Sequence, residues 1–264
     1  MIFPIENKYF QESADTADDA RRMLVLANRI LACEGVFDAF GHISVRNPEN
    51  PQSFFISRAI SPEFVTMDDI MLLDLDGNIL EGREGFKPFS ERSIHCAVYA
   101  ARGDVQCVCH PHPLELLPFA SSNVPLGSIY HQNVTFYDGI PVFSDLPVES
   151  GMLINDMSIA RSLAECLGHR RGVLIRDHGV VIVGESIPRT VYSSITLRDN
   201  ARALLPALAI GMPLKYIGRD EAIEGTRQQF CGLGLPRSWN YWCKNAVSRF
   251  PDVAELLTNA ERSK

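Results

Sequence analysis

Basic residues are scarce in this chain of 264 residues: 25 lysines and arginines stand against 32 acidic side chains, a formal charge of −7. A nucleic-acid-binding face needs a basic surface to offset phosphate, so the balance argues against that class of partner. It leaves room for a small anionic substrate, because a pocket can be locally basic. No apolar run approaches the roughly 20 residues of a membrane span. The opening residues, Met-Ile-Phe-Pro-Ile-Glu-Asn-Lys, lack a charged start followed by a long apolar stretch, so no signal peptide is expected. No Gly-x-Gly-x-x-Gly or Gly-Lys-Ser/Thr loop follows a strand-like run, which removes the common nucleotide cradles. Repeats, low-complexity tracts and Gly/Ser-rich linkers are also missing. The seven cysteines (Cys33, Cys96, Cys107, Cys109, Cys166, Cys231, Cys243) are odd in number and scattered. They read as reduced, mostly buried thiols of a cytoplasmic protein, not as a disulfide framework.

What remains is a chain that is 46% hydrophobic and 22% charged, enough apolar material for a substantial core. Thr16 to Cys33 carries a helical stripe (Leu24, Ala27, Ile30, Leu31) that Gly35 stops. Phe40 to Arg46, Ser53 to Ser57 and Ile70 to Leu75 are strand-like, and Asn78 to Leu80 returns after an Asp76-Gly77 turn. Ser90 is placed to cap a helix over Glu91 to Arg102. Val105 to Cys109 is a further strand, and Val134 to Phe143 reads as a hairpin around Asp138-Gly139. Asn155 to Leu167 is an amphipathic helix. Gly172 to Arg176 and Val180 to Val183 flank an Asp177-His178-Gly179 turn, in which Gly179 is free to take a positive φ. A long helix runs from Pro188 to about Ala209. Two short helices follow near Trp239 to Phe250 and Asp252 to Asn259. The pattern predicts one domain over residues 1–264, an α/β fold with a mixed, mainly antiparallel sheet flanked by helices and short C-terminal helices from about residue 220.

The chemistry begins at Val105-Gln-Cys-Val-Cys-His-Pro-His112. A strand has a side-chain period of two, so His110 and His112 leave one face. Pro111 donates no hydrogen bond, which suits a strand end. Two neutral imidazoles aimed at one point begin a metal site; taken alone, they are equally well two ordinary histidines. Cys107 and Cys109 have the opposite parity and read as core. His178, in a tight turn pinned between apolar strands, would complete a three-histidine set and leave a metal at least one open position. Glu91, at a helix start, is either a dipole partner, an acid/base or a fourth ligand.

Ser90-Glu91…His95…Tyr99, then His110-Pro111-His112, then Asp177-His178-Gly179…Gly184 resemble the class II aldolase/adducin family, from about residue 17 to 215. The resemblance implies a three-layer α/β/α sandwich with a mainly antiparallel central sheet, assembled as a homotetramer or multiple with active sites between subunits. It implies one divalent metal on His110, His112 and His178, with Glu91 as acid/base. Three histidines with oxygen ligands accept Zn, Mn, Fe or Co, with Zn or Mn favoured. Adducin-type members have lost the metal set and act as binding modules; the three histidines here favour an enzyme.

Two departures narrow the reaction. Sugar-phosphate aldolases of the family carry Gly-Asn-x-Ser where this chain has Gly41-His42-Ile43-Ser44, and a Thr-Pro-Ser-Gly-like phosphate loop where it has Ser57-Arg58-Ala59-Ile60-Ser61-Pro62-Glu63. The backbone cradle for phosphate is lost, and Arg58 supplies a planar fork suited to a carboxylate. With Pro125-Leu126…Tyr130-His131, these blocks resemble the subgroup that decarboxylates hydroxylated aromatic or pyridine dicarboxylates. The implied reaction passes through a metal-stabilised enolate or ketonised ring. His42, Ser44 and Arg58 are the candidate substrate contacts, and Glu91, Tyr130 and His131 the candidate catalytic groups, the last two falling where relatives supply a tyrosine across the subunit interface. Alternatives are a metal-dependent aldolase on a hydroxy-keto acid or sugar, and a binding module. For Arg58 the plain alternative is an ion pair with Glu63 or Asp68. For His42 it is a strand histidine satisfied within the sheet. His95 reads as a core histidine in preference to a partner of the site.

Overall fold

The computed structural model describes residues 9–258; Asn259 of the last expected helix, and the opening eight residues, lie outside them. In chain order the elements are α1 (Ala17–Cys33), β1 (His42–Arg46), β2 (Ser53–Ser57), β3 (Ile70–Asp74), β4 (Ile79–Glu81), α2 (Arg92–Ala101), β5 (Cys107–His110), α3 (Leu117–Ala120), β6 (Val142–Phe143), α4 (Met157–Leu167), β7 (Gly172–Ile175), β8 (Gly179–Gly184), α5 (Ile187–Ala209), α6 (Arg219–Cys231), α7 (Gly234–Arg249) and α8 (Ala254–Thr258). The strands form one eight-stranded sheet in the order β4-β3-β2-β1-β5-β8-β7-β6. Every pairing is antiparallel except β6 with β7.

Strand alternation divides the core. Ile43, Val45, Phe55, Cys107 and Cys109 face α1, α5 and α7. Phe54, Ile56, Met71, Val108, Val181 and Val183 face α2 and α4. Leu174, Val180 and Ile182 extend the first face under α3 and the second half of α5. The result is the expected helix–sheet–helix sandwich, and the two strand cysteines are core residues.

Three local expectations are corrected. Ser90 does not cap α2: the helix starts at Arg92, with Glu91 at the N-cap position and no side-chain cap. The Val134–Phe143 hairpin does not form: residues 131–136 make a 3-10 segment, and Val142–Phe143 pairs in parallel with β7. A parallel pair requires a crossover, and α4 supplies it. Of the C-terminal helices, α7 starts at Gly234, five residues before the expected Trp239, α8 covers only Ala254–Thr258 of the described residues, and α6 is an additional one. Its buried residues are only Ala222, Thr226 and Phe230, a stripe too thin to stand out from its charged surroundings. Among the described residues, no helix is long and apolar enough to cross a membrane.

Candidate metal centre

The site lies at the end of the sheet where β1, β5 and the β7–β8 turn meet the start of α2. Antiparallel register sets His42 opposite His110, and both point to the α2 side, in phase with Val108. Four helical residues rise about 6 Å and two strand residues about 6.6 Å. Glu91, His95 and Tyr99, spaced by four along α2, therefore track His42, Ser44 and Arg46, spaced by two along β1. The match explains why His95 and Tyr99 find partners in the β1 row, while Glu91 at the start of α2 reaches His110 and His178.

Glu91, His110, His112 and His178 each offer one ligand atom, all within 4.8 Å of one another. His112 Nε2 is 3.1 Å from His110 Nε2. Glu91 Oε2 is 3.6 Å from both His110 Nε2 and His178 Nε2. Donors about 2.1 Å from a common ion in tetrahedral array lie about 3.4 Å apart, so these separations fit a divalent metal. Two of the imidazoles are locked for that purpose. His110 Nδ1 donates to Val180 O at 2.8 Å, and His178 Nδ1 donates to Met152 O at 2.9 Å. Each carbonyl fixes the proton on Nδ1 and leaves the Nε2 lone pair facing the centre.

The electrostatics agree. Burial, reinforced by the neighbouring His110 and His178, lowers His112 to about 3; burial and His110 also lower His178. Both shifts favour the neutral ring, the form a ligand must take. Burial alone would raise Glu91, but the facing edges of His110 and His178 and the Ile154 N–H outweigh it and bring it to about 2. Glu91 is thus anionic. Its Oε1 accepts from Ile154 N at 2.9 Å, and Ser93 Oγ holds Ile154 O at 2.5 Å.

The glycine of the metal turn acts differently from expectation. The positive φ (56°) belongs to Asp177, not Gly179. Gly179 is needed for space: a Cβ there would stand 2.6 Å from His112 Cδ2 and 2.7 Å from Pro111 O. Gly41, before His42, has φ +97° and would drive a Cβ into the Phe37 ring.

The remaining candidates divide. His42 is nearly buried, with its ring 5.2 Å from that of His110 between centroids. Ser44 has 0% exposure, and His95 and Tyr99 occupy its hydroxyl, so it stands behind His42 with no surface of its own at the site. Sequence reasoning undervalued His95. It is fully buried, but as the middle of a polar chain: Nε2 lies 2.7 Å from His42 Nδ1, and Nδ1 2.6 Å from Ser44 Oγ. The Glu91/His95/Tyr99 spacing against His42/Ser44/Arg46 carried the signal. Arg58 continues the row His110–His42 by one strand, just past the end of β2. Its partner is Asp69, at 2.6 Å through Nε, and its guanidinium lies over Phe86. Glu63 and Asp68 pair instead with Arg249 and Arg83. Tyr130 and His131 do not join the cluster within one chain. His131 lines a cleft of about 580 Å³ with Val134, Glu221 and Gln228, and Tyr130 donates to Gln132 through its hydroxyl.

Residues 22–205 match the family model described as the class II aldolase and adducin N-terminal domain. The chain is similar to decarboxylase tropJ of Talaromyces stipitatus, 28% identical over 90% of this chain and 96% of that one. It is also similar to a 3,4-dihydroxyphthalate decarboxylase of Arthrobacter keyseri, 29% identical over 78% and 85% of the two chains. Among solved structures, an L-fuculose 1-phosphate aldolase from Glaciozyma antarctica superposes with a TM-score of 0.75 at 23% identity, covering 93% of this chain and 96% of that one.

Proposed function

The chain belongs to the class II aldolase and adducin family, and on that premise we propose a divalent-metal-dependent lyase that decarboxylates a hydroxylated aromatic or heteroaromatic dicarboxylate. One observation carries the reading: three imidazoles and a carboxylate converge within 4.8 Å in a chain similar to two proteins named decarboxylases. His110, His112 and His178 would hold the ion, with Glu91 beside it. When bound, the ion supplies Lewis-acid stabilisation of negative charge developing on the substrate.

The protein's own groups do the rest. Arg58 spends only Nε on Asp69, which leaves its two Nη groups to bind the substrate's second carboxylate as a fork. Loss of CO2 leaves an electron pair on the ring carbon, and a proton must reach that carbon. Glu91 Oε2, free of the Ile154 bond that holds Oε1 and anionic at rest, would take the proton of the substrate's ring hydroxyl and return it to that carbon. In an oligomer, Tyr130 or His131 of a neighbouring copy could share that task. His42, in register with His110, would face the same substrate edge.

The test is a metal-loaded screen of hydroxy-aromatic mono- and dicarboxylates. The expected result is CO2 in stoichiometric yield from an ortho-hydroxy aromatic acid. Pyruvate or an aldehyde released without CO2 would instead establish an aldolase.

A further inference from the structure

Behind the metal centre, four buried side chains form an unbroken chain: His42 Nδ1 to His95 Nε2 at 2.7 Å, His95 Nδ1 to Ser44 Oγ at 2.6 Å, and Ser44 Oγ to Tyr99 OH at 2.8 Å. Such a chain can run with either polarity. In one, Tyr99 donates to Ser44, Ser44 to His95 Nδ1, and His95 Nε2–H to His42 Nδ1. In the other every donor is reversed, and the phenolic hydrogen of Tyr99 has no acceptor. Tyr99 is 2% exposed, and Ser44 Oγ is its hydroxyl's one side-chain partner among the described residues; the Val108 N–H beside it is a donor and offers the phenolic hydrogen no acceptor. A stranded buried O–H biases the two polarities by about tenfold to a hundredfold.

The polarity decides what His42 can do. With its Nδ1 accepting from His95, the proton of His42 sits on Nε2. That nitrogen has no hydrogen-bond partner among the described residues, and the small exposed edge of this ring includes it. The ring is flanked by Phe89 at 4.5 Å and His110 at 5.2 Å between centroids, at the mouth of the metal centre.

We infer that the Tyr99–Ser44–His95 chain sets the tautomer of His42, so that His42 presents an Nε2–H donor, and not a lone pair, to an anionic oxygen of the substrate. His42 is thereby kept from competing for a metal, although it neighbours the three histidines that would hold one. Tyr99, Ser44 and His95 are positioning residues; His42 is the contact. The anion contact rests on the lyase reading above, whereas the tautomer assignment does not.

The experiment is two-bond 1H–15N spectroscopy of the histidine rings, on metal-free and zinc-loaded protein, with the His42 signals assigned by their loss in His42→Gln. The wild type is expected to show His42 as a single Nε2–H tautomer in both forms. His95→Leu, which removes the ring that donates to His42 Nδ1, is expected to add the Nδ1–H form. An Nδ1–H tautomer in the wild type overturns the assignment; so does a single Nε2–H tautomer surviving in His95→Leu. For the contact, phthalate is titrated onto zinc-loaded protein. His42→Leu should weaken it about tenfold or more, the loss of one hydrogen bond to a charge; unchanged affinity refutes the contact. If no hydroxy-aromatic acid yields CO2 while the tautomer responds to His95→Leu, the decarboxylase reading fails and the relay stands.

Discussion

Glu91 uses its two oxygens differently, and a single substitution can separate their roles. Oε1 is tied to Ile154 N–H and Oε2 faces His110 and His178. Glu91→Gln keeps a carbonyl oxygen for the Ile154 bond, so the loop over the site should hold its place. It removes the negative charge and the proton-carrying oxygen. We expect kcat to fall about a hundredfold or more, the usual weight of a general acid/base, with thermal stability of the metal-free protein nearly unchanged. Turnover in Glu91→Gln within a few-fold of wild type would restrict Glu91 to a structural role. Arg58 offers a second division. Because Asp69 occupies only Nε, Arg58→Ala should raise KM for dicarboxylates much more than for the matching monocarboxylates. Steady-state kinetics on such a pair checks this, and equal effects on both would remove Arg58 from carboxylate recognition.

The β7–β8 turn shows how an element sets the site. His178 projects from the turn, and β8 begins at once with Gly179, whose missing side chain makes room for the His112 ring. Gly179→Ala should push that ring aside and lower zinc affinity about 10- to 100-fold, the range found when groups supporting a metal ligand are disturbed; competition with a chromophoric chelator measures it. Wild-type affinity in that variant would mean the turn yields without moving His112. Much of this geometry was legible in the sequence. Period-two spacing put His110 and His112 on one face, strand limits at Ser53–Ser57 were read directly, and the family motifs brought in His178 and Glu91. What could not be read depended on contacts between distant segments. Gly179 gives no sign in sequence that it is there for space and not for a positive φ. Ser44 looked like a substrate contact because nothing local shows that His95 and Tyr99 consume its hydroxyl. The parallel β6–β7 pair was misread as a hairpin because Asp138-Gly139 is a good turn, and only α4 packing on the sheet decides which strand β6 joins.

For the molecule as a whole, the assembled site is a concentration of buried bases whose titration is linked to folding. Burial, followed by neighbouring imidazoles, lowers His42 far below its ordinary value; burial and His110 bring His95 to about 3; burial, His110 and His178 bring His112 to about 3; His178 is lowered as well. In the unfolded chain these four histidines titrate near 6.5. Between about pH 3 and 6.5 the unfolded state therefore binds more protons than the folded one, and stability rises with pH across that window. Read downward, metal-free protein should begin to lose stability as pH falls below 6.5, by up to about 1.4 kcal/mol per pH unit for each such histidine. Glu91, held at about 2, adds a loss of its own only below the ordinary carboxylate range. A bound metal raises stability further, by about 2.7 kcal/mol when free metal is a hundred times its dissociation constant. Protons compete for the same lone pairs, so that increment should itself shrink on acidification. Thermal melts of metal-free and zinc-loaded protein from pH 8 to 5 are expected to show a flat metal-free Tm above about 7, a fall below 6.5, and a gap between the two forms that narrows with the fall. A metal-free Tm that stays level down to pH 5 would mean that these imidazoles are not held neutral by the fold, and the site would then have to be formed by the metal instead of being prepared for it.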